Sequence, residues 1–233
     1  MTPQPKQTVA VIVAHPDDEV LGCGGTIAKH TRAGDHVHVL ILAEGMTSRD
    51  AMRNRTRRES DIAELKKNAY AANKILGVKT VAFRDFPDNR LDSIDLLDIV
   101  KNVEHFLRNV SPRVVYTHFS EDLNIDHRCV HEAVLTACRP MPGAGVQTLL
   151  FFEAPSSTEW RFSPGTACFA PNWFVDISAT LQLKIDAFRQ YSSEIKDWPH
   201  PRSLEAIRHI SKWRGAGIGT QAAEGFVLGR THL

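Results

Sequence analysis

Short apolar runs alternate with longer helical segments through the first two thirds of the chain, and this alternation constrains the fold more than any other feature. The run TVAVIVA at 8–14 is rich in β-branched residues and continuously apolar, as in a strand buried on both faces of a sheet. Strands are predicted at 8–14, 36–44, 80–86, 113–118 and 148–154, and helices at 19–32, 56–76, 96–110 and 130–140. Repeated βαβ units of this kind predict an α/β, Rossmann-like fold with a mostly parallel sheet and helices on both faces.

The last third of the chain is less regular. It begins with a stretch rich in proline and tryptophan and continues with a predicted edge strand at 174–178 and helices at about 178–192 and 203–213. A length of 233 residues suits one domain with a sizeable core. We therefore predict a single domain, 1–233, in which a core at about 8–155 carries an irregular C-terminal cap at about 156–233.

The charge balance and the cysteines argue against several classes of protein. Lys and Arg total 28 against 27 Asp and Glu, so no global field steers the chain to nucleic acid or to an anionic membrane. The four cysteines form no CxxC pair, which argues against a disulfide framework and favours a reducing compartment. No stretch reaches the roughly 18 to 20 apolar residues of a membrane span, and the start of the chain does not resemble a signal peptide. We expect a cytoplasmic protein without a nucleic-acid partner.

A histidine and two aspartates, His15, Asp17 and Asp18, directly follow the first predicted strand. The carboxyl ends of parallel strands are where open α/β sheets bind ligands. Imidazole and carboxylate are the usual non-thiolate ligands of zinc, and a catalytic zinc has three protein ligands and one open position. The third ligand must come from elsewhere in the chain, and the best candidate is His127, past the end of the fourth strand. The sequence thus predicts a Zn²⁺ site of His15, Asp18 and His127.

Two further carboxylates accompany the candidate ligands. Asp126 precedes His127 in a segment that we interpret as a loop folded over the same sheet edge, and a carboxylate near a ligating imidazole is a common way to orient it. With Asp18 bound to the metal, Asp17 is free to act as a general base.

Simpler explanations exist for some of these residues. Asp17 or Asp18 alone could be the N-cap of the next helix, but an N-cap does not account for the Asp-His pair after a later strand. The GCGG segment at 22–25 does not complete the GxGxxG spacing of a dinucleotide site, and we interpret its glycines as allowing the first helix to pack close to the sheet. Structural or surface roles are the preferred interpretation of His36, His38, His118 and His131.

The motif HPDDEVLGCGG at 15–25 resembles the signature of the PIG-L or LmbE-like family of N-acetylglucosaminyl de-N-acetylases. LGV at 76–78, FPD at 86–88 and Asp126-His127 extend the resemblance over roughly residues 8–140. It implies a zinc-dependent hydrolase that removes the acetyl group of an N-acetylated amino sugar, with the same metal ligands and general base as assigned above. It also implies a homo-oligomer, because members of the family often self-associate.

One position departs from the family pattern. Many members have a second histidine three residues before the metal-binding one, and here that position is Asn124. Asparagine can donate a hydrogen bond to an oxyanion but cannot deliver a proton near neutral pH. Proton delivery to the leaving amine therefore falls to Asp17 or another group, and Asn124 and Asp126 join Asp17 as candidate catalytic residues.

Five residues near the expected site are candidates for substrate binding. They are Arg49, Asp88, Arg90, His200 and Arg202. Guanidinium groups could hold a phosphate or carboxylate, although a solvated helix face explains the arginine-rich segment at 49–58 more simply. A turn at 87–89 explains the polar residues after the third strand about as well.

Two other functions fit part of the pattern. A phospho-accepting receiver domain also has paired acidic residues after its first strand, but it needs a lysine after its fifth strand, where this chain has FEAP at 152–155. Asn124 leaves open a catalytically silent relative that binds metal or sugar only. A hydrolase of a non-sugar amide is a further alternative.

Overall fold

The computed structural model describes residues 6–162, 165 and 167–232. Seven strands form one sheet in the order β3-β2-β1-β4-β5-β7-β6. The strands are β1 Thr8–Val13, β2 His36–Ala43, β3 Thr80–Phe86, β4 Val114–His118, β5 Thr148–Phe152, β6 Trp173–Asp176 and β7 Ala223–Thr231. The helices are α1 Asp18–Arg32, α2 Glu59–Leu76, α3 Leu96–Val110, α4 Ile125–Ala137, α5 Leu181–Phe188 and α6 Leu204–Ala216. Within the described residues, no helix is both long and apolar enough to cross a membrane.

The predicted α/β fold with helices on both faces is confirmed. Strands β1 to β5 pair in parallel. Alternate side chains of β1 point to opposite faces, so that Val9 and Val11 belong to a core cluster with α1, α2 and α5, whereas Ala10 and Ile12 belong to a second cluster with α3 and α4. The continuously apolar run that predicts β1 is buried because both faces are covered.

The sheet changes its direction of growth at β1. Strands β2 and β3 are added on one side of β1, and β4 and β5 on the other. Such a switch point opens a crevice at the carboxyl ends of the two central strands. The segments that follow β1 and β4 carry the candidate metal ligands, so the topology brings them to the same crevice.

The C-terminal third differs in part from the predicted irregular cap. The expected edge strand is confirmed as β6, but β7 was not predicted and lies between β5 and β6, antiparallel to both. Glycines at 225 and 229 and charged residues at 224 and 230 interrupt its apolar run, which explains why its sequence resembles a loop. The strands β6 and β7 therefore extend the central sheet, whereas the loop between α5 and α6 covers the site.

Helix α1 is broken one turn after its start, with non-helical backbone angles at Cys23. The break frees the amides of Gly25 and Thr26, and both donate to the carboxylate of Glu224 on β7, at 3.0 and 2.7 Å. Lys184 Nζ lies 2.6 Å from the same carboxylate. The buried ion pair of Lys184 and Glu224, in the C-terminal third, thus provides an acceptor for two amides of the helix that begins at the site.

Candidate active site

Three donor atoms meet at the carboxyl ends of β1 and β4. Asp18 Oδ2 lies 3.4 Å from His15 Nδ1 and 3.4 Å from His127 Nε2. All three groups can offer ligand atoms within 4.8 Å of one another. A tetrahedral zinc with bonds of about 2.0–2.1 Å holds neighbouring ligand atoms about 3.4 Å apart. The spacing and the donor types therefore fit a small divalent cation.

Each imidazole has a carboxylate on its other side. His15 Nε2 is hydrogen-bonded to Asp126 Oδ2 at 3.0 Å, and His127 Nδ1 lies 3.1 Å from Asp122 Oδ1. This arrangement fixes the ring orientation and directs the remaining nitrogen to the metal. Asp126 was predicted to support His127, and that pairing is wrong: Asp126 supports His15, while Asp122 takes the predicted role.

The segment of Asp126 and His127 is also helical and not the predicted loop. It forms the first turn of α4, which begins at Ile125, five residues before the predicted start at 130. Asn124 is the N-cap, and its side-chain oxygen accepts the Asp126 amide at 2.9 Å. The cap is the local signal that marks this earlier helix start.

His15, Asp88 and Asp126 form a second group of possible ligands. Both carboxylates already have protein partners: Asp126 accepts the amides of Asn89 and Leu91, and Asp88 accepts the amide and hydroxyl of Ser48. Because these bonds fix the carboxylates as supports of His15, the group of His15, Asp18 and His127 fits the cation better.

The protonation of the metal-free site follows from this packing. Burial lowers the pKa of His127, but Asp18 and Asp122 raise it more strongly, to about 9. Burial likewise opposes the protonation of His15, and Asp126 and Asp18 raise its pKa well above the usual range. In the metal-free site, protons on His15 and His127 thus provide the positive charge that a bound cation would otherwise supply.

Asp17 lies beside the candidate metal-ligand atoms but contributes none of them. It is 2% exposed and has a left-handed backbone with φ of 116°, which is rare for a residue other than glycine. Burial raises the pKa of its carboxyl well above the ordinary value, and Arg202, 3.4 Å away, opposes that effect. A carboxyl with a raised pKa is suited to take a proton near neutral pH.

The strained backbone of Asp17 is held by a hydrogen bond to Glu19. Glu19 Oε2 accepts the Asp17 amide at 3.1 Å, and its Oε1 accepts the Tyr191 hydroxyl at 2.6 Å and the Asn73 amide at 2.8 Å. Burial raises the pKa of Glu19 to about 7. Glu19 is the last residue of the HPDDE motif, but its partners on α2 and after α5 carry no signal in a single sequence.

The loop between α5 and α6 places charged groups over Asp17. Arg202 bridges Asp17 and Glu194, and Glu194 also pairs with Arg49. His200 Nδ1 accepts the Arg202 amide at 3.0 Å and so supports this loop. Two predicted substrate-binding arginines thus meet at one carboxylate, which sequence analysis did not identify.

The remaining candidates take different positions. Asp88 Oδ1 lies 3.3 Å from His15 Nε2, inside the site. Arg90 is exposed and forms no ion pair among the described residues. His118, interpreted as structural, is fully buried, stacks on His127 at 3.9 Å and accepts the Ala14 amide at 3.0 Å. It therefore packs against His127, one of the candidate ligands.

The other arginines of the segment 49–58 do not lie on the expected solvated helix face, because α2 begins only at Glu59. Arg53 and Arg55 pair with Glu44, a buried carboxylate at the end of β2. Arg58 pairs with Asp50 and Asp61. These ion pairs order the segment between β2 and α2.

Fold and site together define an α/β protein with a candidate metal centre at the switch point of its sheet. The chain belongs to the PIG-L family, since the family model described as GlcNAc-PI de-N-acetylase matches residues 10–138. The match spans β1 to α4 and contains the three candidate ligands and Asp17.

Relatives with named activities fall into two classes. The diacetylchitobiose deacetylase of Thermococcus kodakarensis is 27% identical over 232 residues, which cover 93% of this chain and 81% of that protein. The 4-oxalmesaconate hydratase of Pseudomonas putida is also 27% identical over 232 residues, which cover 92% of this chain and 84% of that protein. A conserved protein from Thermus thermophilus has a solved structure with a TM-score of 0.74 and 26% identity, covering 97% of this chain and 96% of its own.

Proposed function

We propose that the chain is a zinc-dependent deacetylase that hydrolyses the acetamide of an N-acetylated amino sugar. The observation that carries the proposal is a buried carboxyl with a raised pKa, Asp17, next to three donor atoms spaced for a tetrahedral cation. Membership of the PIG-L family and the similarity to a diacetylchitobiose deacetylase support it.

Each residue has a distinct role in this proposal. His15, Asp18 and His127 would hold the zinc, which would supply Lewis acidity for the acetyl carbonyl and for the attacking water. Asp17 takes the proton of that water and can return it to the leaving amine. Asp126 and Asp122 fix the imidazoles, and the side-chain amide of Asn124 is a candidate donor to the developing oxyanion.

Zinc analysis combined with an acetate-release assay tests the proposal. We expect about one zinc per chain and acetate release from N-acetylglucosamine conjugates such as N,N′-diacetylchitobiose. His127→Ala should lose most of the zinc, whereas His105→Ala, which removes an exposed histidine on α3, should keep both zinc and activity. Full zinc occupancy in His127→Ala would refute the ligand assignment.

The hydratase relative makes water addition the second candidate reaction, because it is as similar to the chain as the deacetylase is. Including 4-oxalmesaconate in the same assay separates the two. Turnover of that compound without acetate release from any amino sugar would replace the proposed function. Self-association and a cytoplasmic location remain predictions. Among the aromatic residues of the tail, Trp173, Trp198 and Trp213 are 38%, 56% and 74% exposed.

A further inference from the structure

Glu194 occupies the position between two guanidinium groups at the rim of the site. Its Oε1 lies 2.5 Å from Arg49 Nη2, and its Oε2 lies 3.1 Å from Arg202 Nη1. The side chain of Glu194 is only 10% exposed, whereas those of Arg49 and Arg202 are 42% and 27% exposed. The buried partner is therefore the acid, and the solvent-facing partners are the bases.

The positive charge of both arginines is balanced within the chain. Arg202 also faces Asp17 at 3.4 Å and donates its Nε–H to Ser156 Oγ at 2.7 Å. Each of the two guanidiniums in this cluster of described residues thus has an acidic partner, and Glu194 is shared by both. On the opposite side of His15, the nearest charged groups are the carboxylates of Asp88 and Asp126.

A substrate carboxylate at this position would have to displace Glu194. The displaced acid would then be buried without a cationic partner, which is strongly unfavourable. A hydroxyl group has no such requirement, because it can accept a hydrogen bond from a guanidinium N–H group that the ion pairs leave free. The cluster therefore penalises anions without penalising neutral sugars, which is specificity by exclusion.

We infer that Glu194 is a specificity-determining residue that restricts the substrate to amino-sugar conjugates with an uncharged aglycone. The inference rests on the proposed function, because it names the substrate class of the same site. It also favours N,N′-diacetylchitobiose, which is neutral, over 4-oxalmesaconate, which is an anion.

A matched pair of substrates tests this directly. The 4-carbamoylphenyl and 4-carboxyphenyl glycosides of N-acetylglucosamine have nearly the same size and differ by one charge. We expect the wild-type kcat/KM to favour the carbamoyl compound by about tenfold or more, and Glu194→Gln to reduce that ratio by about tenfold. Asp186→Asn is the control, because it removes the same charge from an exposed carboxylate on α5.

Two further variants identify the responsible charges. Adding Arg49→Gln to Glu194→Gln removes the uncovered cation and should restore most of the wild-type ratio. Arg108→Gln should leave the ratio unchanged, because Arg108 is exposed on α3 and outside the cluster. A wild-type preference for the carboxyl compound, or an unchanged ratio in Glu194→Gln, would overturn the inference.

Anion binding provides a measurement that does not depend on catalysis. With zinc-loaded protein at low salt, Glu194→Gln should bind L-malate about tenfold more tightly than wild type by calorimetry. Equal affinities would overturn the inference even if every sugar were deacetylated. Absence of acetate release from all probes, with the tenfold gain in malate binding, would instead contradict only the proposed function. If Glu194→Gln fails to fold, Arg49→Gln alone must increase the preference for the carbamoyl compound, and an unchanged ratio would overturn the inference.

Discussion

The backbone amide of Asp17 donates a hydrogen bond to Glu19, two residues later in the same motif. This bond holds Asp17 in a left-handed conformation, and the Tyr191 hydroxyl and Asn73 amide hold Glu19 in turn. Asp17 is therefore positioned by residues from α2 and from the end of α5 as well as by its own turn.

Replacing Tyr191 by Phe tests this positioning. The variant leaves a buried carboxyl with one donor fewer, so we expect a stability loss of about 1–3 kcal/mol and a fall in kcat of roughly tenfold, with zinc content and KM unchanged. Tyr70→Phe is the control, because Tyr70 is 54% exposed. Thermal melts and steady-state kinetics provide the two readouts. A stability loss with normal kcat would make Tyr191 purely structural.

Asp17 and Asp18 are adjacent in sequence but have different predicted roles. Asp17→Asn should keep the metal and lose roughly two to four orders of magnitude in turnover, the usual contribution of a general base. Asparagine also tolerates the left-handed backbone, so the substitution adds little strain. Asp18→Ala should lose metal and activity together. Near wild-type turnover of Asp17→Asn on a confirmed substrate would show that the base is another group.

Asp122 supports His127 and should contribute to metal affinity without being a ligand. Removing such a partner typically weakens metal binding by about 10- to 100-fold, and we expect this for Asp122→Asn in a competition titration with a chelator. Asp92→Asn, on the exposed turn before α3, serves as the control. Unchanged affinity of Asp122→Asn would mean that the contact of 3.1 Å with His127 does not orient the ring.

Zinc binding should be coupled to proton release. The pKa of His127 is about 9 in the metal-free protein, so His127 is protonated at pH 7, and a ligating imidazole must be neutral. This raised pKa stabilises the metal-free fold fully at pH values below the pKa of a free histidine. The stabilisation is lost as the pH rises towards 9. Stabilisation by zinc should therefore increase over that window. Calorimetry at pH 7 in two buffers of different ionisation enthalpy should show about one proton or more released per zinc, and no release would contradict the assignment.

The pair of Lys184 and Glu224 should be essential for stability. Both side chains are about 5% exposed or less, so Lys184→Met leaves a buried carboxylate without its cation and should cost about 3–5 kcal/mol. The exposed Lys67, paired with Glu64, provides the contrast, and Lys67→Met should change stability by less than about 0.5 kcal/mol. Urea unfolding measures both. The double variant Lys184→Met/Glu224→Gln should recover part of the loss.

Sequence reasoning succeeds here where a local pattern carries the information. The apolar runs identify β1 to β5 because those strands are covered on both faces, and the strand-end rule brings His15, Asp18 and His127 to one crevice before any contact is known. The strand β7 is missed because glycine and charge interrupt its apolar pattern. The partner of His127 is misassigned because adjacency in sequence favours Asp126, whereas the first turn of α4 directs Asp126 to His15.

The residues over the site are the least accessible to sequence reasoning. Tyr191 lies 172 residues from its partner Glu19, and Glu194 lies 145 residues from its partner Arg49. A single sequence gives no pairing signal at such distances. Because acidic and basic residues are nearly equal in number, the composition also does not show which of them form ion pairs. Arg49 and Arg202 were predicted near the site, but Glu194, which pairs with both, was not.

The dependence of α1 on Glu224 has a consequence for the order in which the protein is completed during synthesis. The first helix is made early, but the carboxylate that receives the amides of Gly25 and Thr26 is separated from them by about 200 residues and belongs to the last strand. Chains fold as they emerge, and contacts of such long range form late. A nascent chain that stops before β7 therefore carries a broken helix next to Asp18 with no partner for its free amides. The first helix reaches its final form only when β7 enters the sheet.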